Sequence, residues 1–281
     1  MKKGIVLLFI ILSSVTYAKD YSEFCSTSSA QKSFSGSLMS FSGLNTLSRN
    51  IIESQISRAI KKETNSKFKI KINNFYGNNI LGGEFKSLKA TSKKYNDGTI
   101  FLSDLKVQTI CKYNHIDLVD EQIKFVEPMV LKYNAKITQD DLNEIINSAP
   151  YQKMIEKMNE DETISSLIKI KKTDVTIKHN KLYFKYMIEP LSRFNLGIFK
   201  LNKFDIIFSA DLKVNNGEVE ICNFQLNSKN TRVFLPLINK LNPTTWKIDI
   251  DENNKAKLEV DFVEIKNDEI LLEGYILIDK N

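Results

Sequence analysis

Histidine, cysteine and paired carboxylates are the side chains of this chain that could do chemistry, and their spacing decides which chemistry is open. There are two histidines, His115 and His179, and three cysteines, Cys25, Cys111 and Cys222. Neither histidine belongs to a His/Cys cluster with metal-ligand spacing. Cys111 and His115 could share a strand face, but four residues of strand rise put them about 13 Å apart, too far for a thiolate–imidazole pair. Asp140 and Asp141 could pass for paired catalytic carboxylates, yet acids are also what a helix start favours through its macrodipole. Glycine-rich phosphate loops, nucleophile elbows and zinc-protease helices are missing from the sequence. The inventory points away from an enzyme and predicts no catalytic residue, metal or cofactor.

The segments that would position such residues begin after a leader. Met1-Lys2-Lys3 is a short positive start, Gly4 to Leu12 is almost wholly apolar, and Thr16-Tyr17-Ala18 ends in a small residue. This is the pattern of a secretory signal peptide cleaved near Ala18, and an apolar run of about nine residues is short of the roughly 20 that a spanning helix needs. The expected location is therefore the periplasm or cell envelope. Removing residues 1–18 takes two lysines and no acid from a chain of net charge +6, leaving +4. That balance favours anionic lipid surfaces weakly, and no dense Lys/Arg block of the nucleic-acid type occurs. Lysines are instead spread along alternating segments that send them to solvent. Three cysteines allow one disulfide with a thiol left over, or buried free thiols.

Residues 19–43 form a Ser-rich lead-in too polar to build a core of its own. Residues 44–281 are then expected to form a single α+β domain. Leu44, Leu47, Ile51, Ile52, Ile56, Ala59 and Ile60 recur mostly at spacings of three and four, with charges between them, which predicts an amphipathic helix buried against a sheet. A membrane-surface helix is the alternative use of the same stripe. From Lys67 the period changes to two, and strands are expected through most of the chain to residue 278. Turns are expected at Asn96-Asp97-Gly98, His179-Asn180-Lys181 and Asn215-Asn216-Gly217, and a phase slip at Ser103-Asp104 predicts a bulge. Thr138-Gln139-Asp140-Asp141 nearly forms a capping box ahead of a stripe of Leu142, Ile145, Ile146 and Ala149, with Pro150 ending or kinking that helix. A short helix within Arg232–Leu241 and a strand over Trp246–Ile250 complete the reading. Long bulged antiparallel strands tend to curl, so the simplest architecture wraps one long curved sheet around one or two long helices.

Several short segments, in order, carry a resemblance. They are Gly83-Glu84-Phe85-Lys86-Ser87-Leu88, Asp97-Gly98 with Asp104-Leu105 downstream, Ile137 to Asn143, Asn216-Gly217, Leu235-Pro236-Leu237-Ile238 and Leu271-Leu272-Glu273-Gly274. Together they resemble the LmeA-like family of exported phospholipid-binding proteins, itself similar to the tubular lipid-binding superfamily. The resemblance implies a curved sheet around a long helix and an apolar groove for acyl chains. It implies phospholipid or another acyl lipid as partner, transient membrane contact and no nucleic acid. On that reading Leu47, Ile51, Ile52, Ile56 and Ile60 line the groove. The other class open to a β-rich exported chain is a non-lipid envelope scaffold for assembly or adhesion.

Overall fold

Alternation of apolar and polar residues gives fifteen strands among the residues that the computed structural model describes, which are 21–25, 44–73, 80, 82–119, 122–160, 168–190, 203–227 and 256–280. A 3-10 helix spans Tyr21–Phe24 and is followed by α1 (Leu44–Thr64), β1 (Lys69–Asn73), β2 (Glu84–Phe85), β3 (Ser87–Ser92) and β4 (Tyr95–Asn96). Next come β5 (Phe101–Leu102), β6 (Asp104–Thr109), β7 (Asn114–Val119), β8 (Gln122–Phe125), β9 (Met129–Ile137), α2 (Gln139–Asn147) and α3 (Ala149–Glu160). The remaining strands are β10 (Ile168–Lys178), β11 (Lys181–Pro190), β12 (Phe204–Asn215), β13 (Glu218–Leu226), β14 (Ala256–Lys266) and β15 (Glu269–Ile278). The helix expected within Arg232–Leu241, the strand over Trp246–Ile250 and most of the lead-in lie outside the described residues.

These strands form separate antiparallel sheets. One has six strands in the order β1-β3-β6-β9-β15-β14, and another has four in the order β10-β11-β12-β13. A three-stranded sheet (β2-β7-β8) and the β4-β5 hairpin sit beside the first. The expected single curved sheet wrapped around long helices is therefore wrong. The alternating faces expected to pack on a helix are covered by another sheet: Tyr133, Ala135, Val260, Ile270 and Leu272 of the six-stranded sheet share a core with Val175, Phe184, Ile206 and Phe208 of the four-stranded one. Helix α1 covers only the β1 end, where Ile56 packs among Phe68, Ile70, Ile72, Phe85 and Ala90.

Local signals explain where elements stop. At Ser103 the chain breaks between β5 and β6, at the position of the phase slip, and its N–H donates to the Lys136 carbonyl at 2.9 Å. Thr138 caps α2: its backbone N–H donates to the Asp141 carboxylate at 2.8 Å, and its hydroxyl accepts from the Asp141 N–H at 3.4 Å. The helix ends at Ser148, and α3 restarts at once with Pro150 in its first turn, where a missing N–H costs nothing. Gly274 sits inside β15 for a steric reason. A Cβ there would lie 2.0 Å from the Glu259 carbonyl oxygen on β14 and 2.9 Å from the Tyr133 hydroxyl on β9.

The N-terminal 3-10 helix is fastened to the outer face of the six-stranded sheet. Cys25 is disulfide-bonded to Cys111, the Tyr21 ring lies 4.0 Å from that of Tyr275, and the Tyr21 hydroxyl donates to Glu259 at 2.6 Å. Burial, together with the Glu259 carboxylate, pushes the Tyr21 phenol well above its ordinary pKa. Cys222 keeps its thiol. Of the two cysteine readings left open by the sequence, the disulfide with one thiol over is the one found.

Candidate functional site

The residues expected to line a lipid groove do not come together on one cavity. Ile56 is 1 % exposed and part of the core, while Ile52 and Ile60 are half-buried against the same cluster. Ile51 faces solvent at 54 % exposure, and the side chain of Leu47 lies outside the described residues. A depression of about 280 Å³ does run beside α1, past Ile52, Gln55, Ile80, Phe85 and Ile116, but Asp117 and the backbone at Gly82-Gly83 give it a mixed lining.

A larger apolar cavity lies between the two main sheets. Its volume is about 370 Å³, within the range of small-molecule sites. Val175, Leu182, Phe184, Leu212, Val219 and Ile221 come from the four-stranded sheet, and Ile137, Ile270 and Leu272 from β9 and β15. Helix α2 closes one side with Leu142, Ile145 and Ile146, and Thr99 and Ile100 complete the lining. Apart from Thr99 the side chains are all hydrocarbon, so this space carries no titratable group. It can hold an apolar ligand by burial and cannot orient a charged one.

Backbone geometry places these walls. In β10 and β11 the pairing Ile177↔Leu182 and Val175↔Phe184 puts four side chains on one face, and β12 continues the face through Leu182↔Ala210. Residues two apart along a strand share a face, which adds Leu212 to it. In the opposite wall Leu272 pairs with Ala135 and Ile270 with Ile137. Helix α2 is held over the gap by Gln139, whose side-chain amide donates to the Val175 carbonyl at 2.5 Å and accepts from the Ile177 N–H at 2.7 Å. Asn159 of α3 makes the same paired contact with both backbone groups of Ile170, at 3.0 and 2.8 Å. β10 is the edge strand of its sheet, so these two amides satisfy groups that would otherwise template further pairing.

The sequence signals divide accordingly. The stripe of Leu142, Ile145 and Ile146 was legible and does face the cavity, whereas the sheet residues alternate like any core strand and gave no sign of a space between them. The residues that suggested chemistry are dispersed. Cys111 is in the disulfide, His115 lies 3.8 Å from Asp117 on β7, and His179 sits in the β10–β11 turn at φ 52°. Asp141 is engaged in the α2 cap and Asp140 is exposed at the helix start. Among the described residues no helix is long and apolar enough to cross a membrane. Compared with protein-family models, with curated proteins and with solved structures, the chain matches none.

Proposed function

We propose that this chain is an exported protein of the cell envelope that binds or carries phospholipid by its acyl chains, without covalent chemistry. The observation that carries the reading is the hydrocarbon-lined cavity of about 370 Å³ between the two sheets. An apolar lining selects for methylene groups, each contributing about 0.8 kcal/mol on burial. About ten buried methylenes contribute roughly 8 kcal/mol, from which the cost of immobilising the ligand is subtracted. The resemblance to the LmeA-like family supports the same ligand class, although the tubular architecture attached to that family is not part of the proposal. Export is supported by the leader pattern and by the Cys25–Cys111 disulfide, a bond that persists in oxidising compartments.

Native mass spectrometry of protein purified from its own compartment tests the ligand. An adduct with the mass of a phospholipid or fatty acid, released by organic extraction, is expected. A clean apo mass from gently handled protein would overturn the reading and favour a lipid-free scaffold. For export, the expected mature N-terminus is Lys19, and recovery of intact Met1 in an envelope fraction contradicts it.

A further inference from the structure

We propose that the outer face of β1, β3, β6 and β9 docks this protein onto the surface of an anionic phospholipid bilayer. Strand register gathers lysines that look scattered in sequence. One row across the sheet reads Lys71, Lys89, Gln108, Lys132, and the next reads Lys69, Thr91, Lys106, Asn134. Directly opposed residues of an antiparallel pair share a face, so these rows form one basic field. It extends about 14 Å from β1 to β9, with about 7 Å between rows. Lys69, Lys71, Lys89, Lys106 and Lys132 are all exposed, and Lys136 adds a sixth amine at the field's edge.

Acids compensate only part of it. Lys106 lies 3.3 Å from Asp104, Lys132 3.9 Å from Glu273 and Lys136 3.0 Å from Glu269. Lys69, Lys71 and Lys89 have no ion-pair partner among the described residues. Lys71 stands directly opposite Lys89, a like-charge pairing that weakens a sheet on its own account. The arrangement makes sense when an external anion neutralises both. Lys89, Lys106, Gln108, Lys132 and Asn134 also line a shallow depression of about 210 Å³, where donors from three strands converge.

A bilayer fits this face better than a nucleic acid does. Single-strand binders interleave aromatic side chains with the charges for base stacking, and here the positions between the lysines are Thr91, Gln108 and Asn134. Three of the six large exposed apolar side chains among the described residues lie toward the border instead, while Ile51, Val119 and Met154 lie elsewhere. Phe262 is 44 % exposed and pairs with Glu273, which places it on this same face; Phe24 is 46 % exposed on the strapped 3-10 helix, and Ile110 is 37 % exposed beside the depression. Aromatic residues bordering a basic field are what an interfacial protein presents to headgroups. The cavity opens on the other side of the sheet, so docking does not require it to hold lipid.

The test is sedimentation of the full mature protein with vesicles of phosphatidylcholine alone and with added phosphatidylglycerol. Binding is expected only with the anionic lipid and is expected to fall at high salt. Each lysine near an anionic surface contributes about five-fold, so Lys69→Gln, Lys71→Gln and Lys89→Gln together are expected to weaken binding on the order of a hundredfold. A control with Lys153→Gln, Lys157→Gln and Lys178→Gln, exposed lysines away from this face, removes the same charge and is expected to keep most of the affinity. Equal losses in both variants, no binding by the parent, or tighter binding to an oligonucleotide than to anionic vesicles would each overturn the proposal. The lipid mass retained by the lysine variants is read in parallel. Lost docking with lipid retained separates this face from the cavity, and intact docking without any lipid sinks the acyl-chain reading alone.

Discussion

Replacing Val219 by Phe distinguishes a binding cavity from a closely packed core, because the two give opposite signs. Phe at this wall position adds four carbons, with at most about 3 kcal/mol of apolar burial at 0.8 kcal/mol each, less the cost of fixing the ring. The lipid-free variant should gain about 1–2 kcal/mol, a rise in Tm of roughly 2–8 °C, while retaining less lipid. If instead the walls close on one another in solution, the ring overpacks them and costs about 1–3 kcal/mol. Calorimetric melting of solvent-extracted and lipid-loaded protein, with native mass spectrometry of both, reads the two effects. Ile145→Phe on the opposing helix repeats the test, so that a local clash at residue 219 does not decide it. A lower Tm for both lipid-free variants with unchanged lipid content refutes the cavity.

Three further outcomes follow from the packing. Ile56→Ala should cost about 2–4 kcal/mol in urea unfolding and leave lipid retention unchanged, because Ile56 belongs to the α1 core rather than to the cavity. Gln139→Ala removes both amide contacts to β10 and should cost about 1–3 kcal/mol, with faster hydrogen exchange at the Ile177 amide as its specific mark. Stability should also fall on the alkaline side. Burial pushes the phenols of Tyr21, Tyr133 and Tyr186 above their ordinary value, and neighbouring carboxylates add to the shift for Tyr21 and Tyr133. The fold therefore favours the neutral form. Its contribution is complete below the ordinary phenol pKa of about 10 and is lost as pH rises above it, which a pH series of urea midpoints will show.

What the sequence disclosed and what it withheld follow from the range of each signal. Caps, turns and phase slips are fixed by neighbouring residues, so Thr138 with Asp141, the break at Ser103 and the turn at Asn216-Gly217 were all legible. The helix over Leu44–Thr64 was equally plain from its spacing. Strand order is not local. Nothing in the alternation of β9 says that its neighbour is β15 rather than β10, and an apolar strand face looks the same whether a helix or a second sheet covers it. The single wrapped sheet failed there. The lysine field went unread for the same reason: Lys71, Lys89 and Lys132 become neighbours only once the register of four strands is known. The cavity walls were visible as hydrophobic residues, but a gap is a property of how two faces meet, and no one strand encodes it.

The position of the last hairpin has a consequence for how the molecule is made. β9 lies in the interior of the six-stranded sheet, and one of its two neighbours is β15, so Ala135 must wait for Leu272. At about 5–20 residues per second, that partner leaves the ribosome on the order of ten seconds later. During that interval β9 is a bare edge, and Ile137 and its companions have no opposing wall. A nascent chain in this state presents an unpaired edge that templates pairing with other chains. Any stop codon before residue 270 would leave a half-sheet with a sticky margin rather than a smaller working protein.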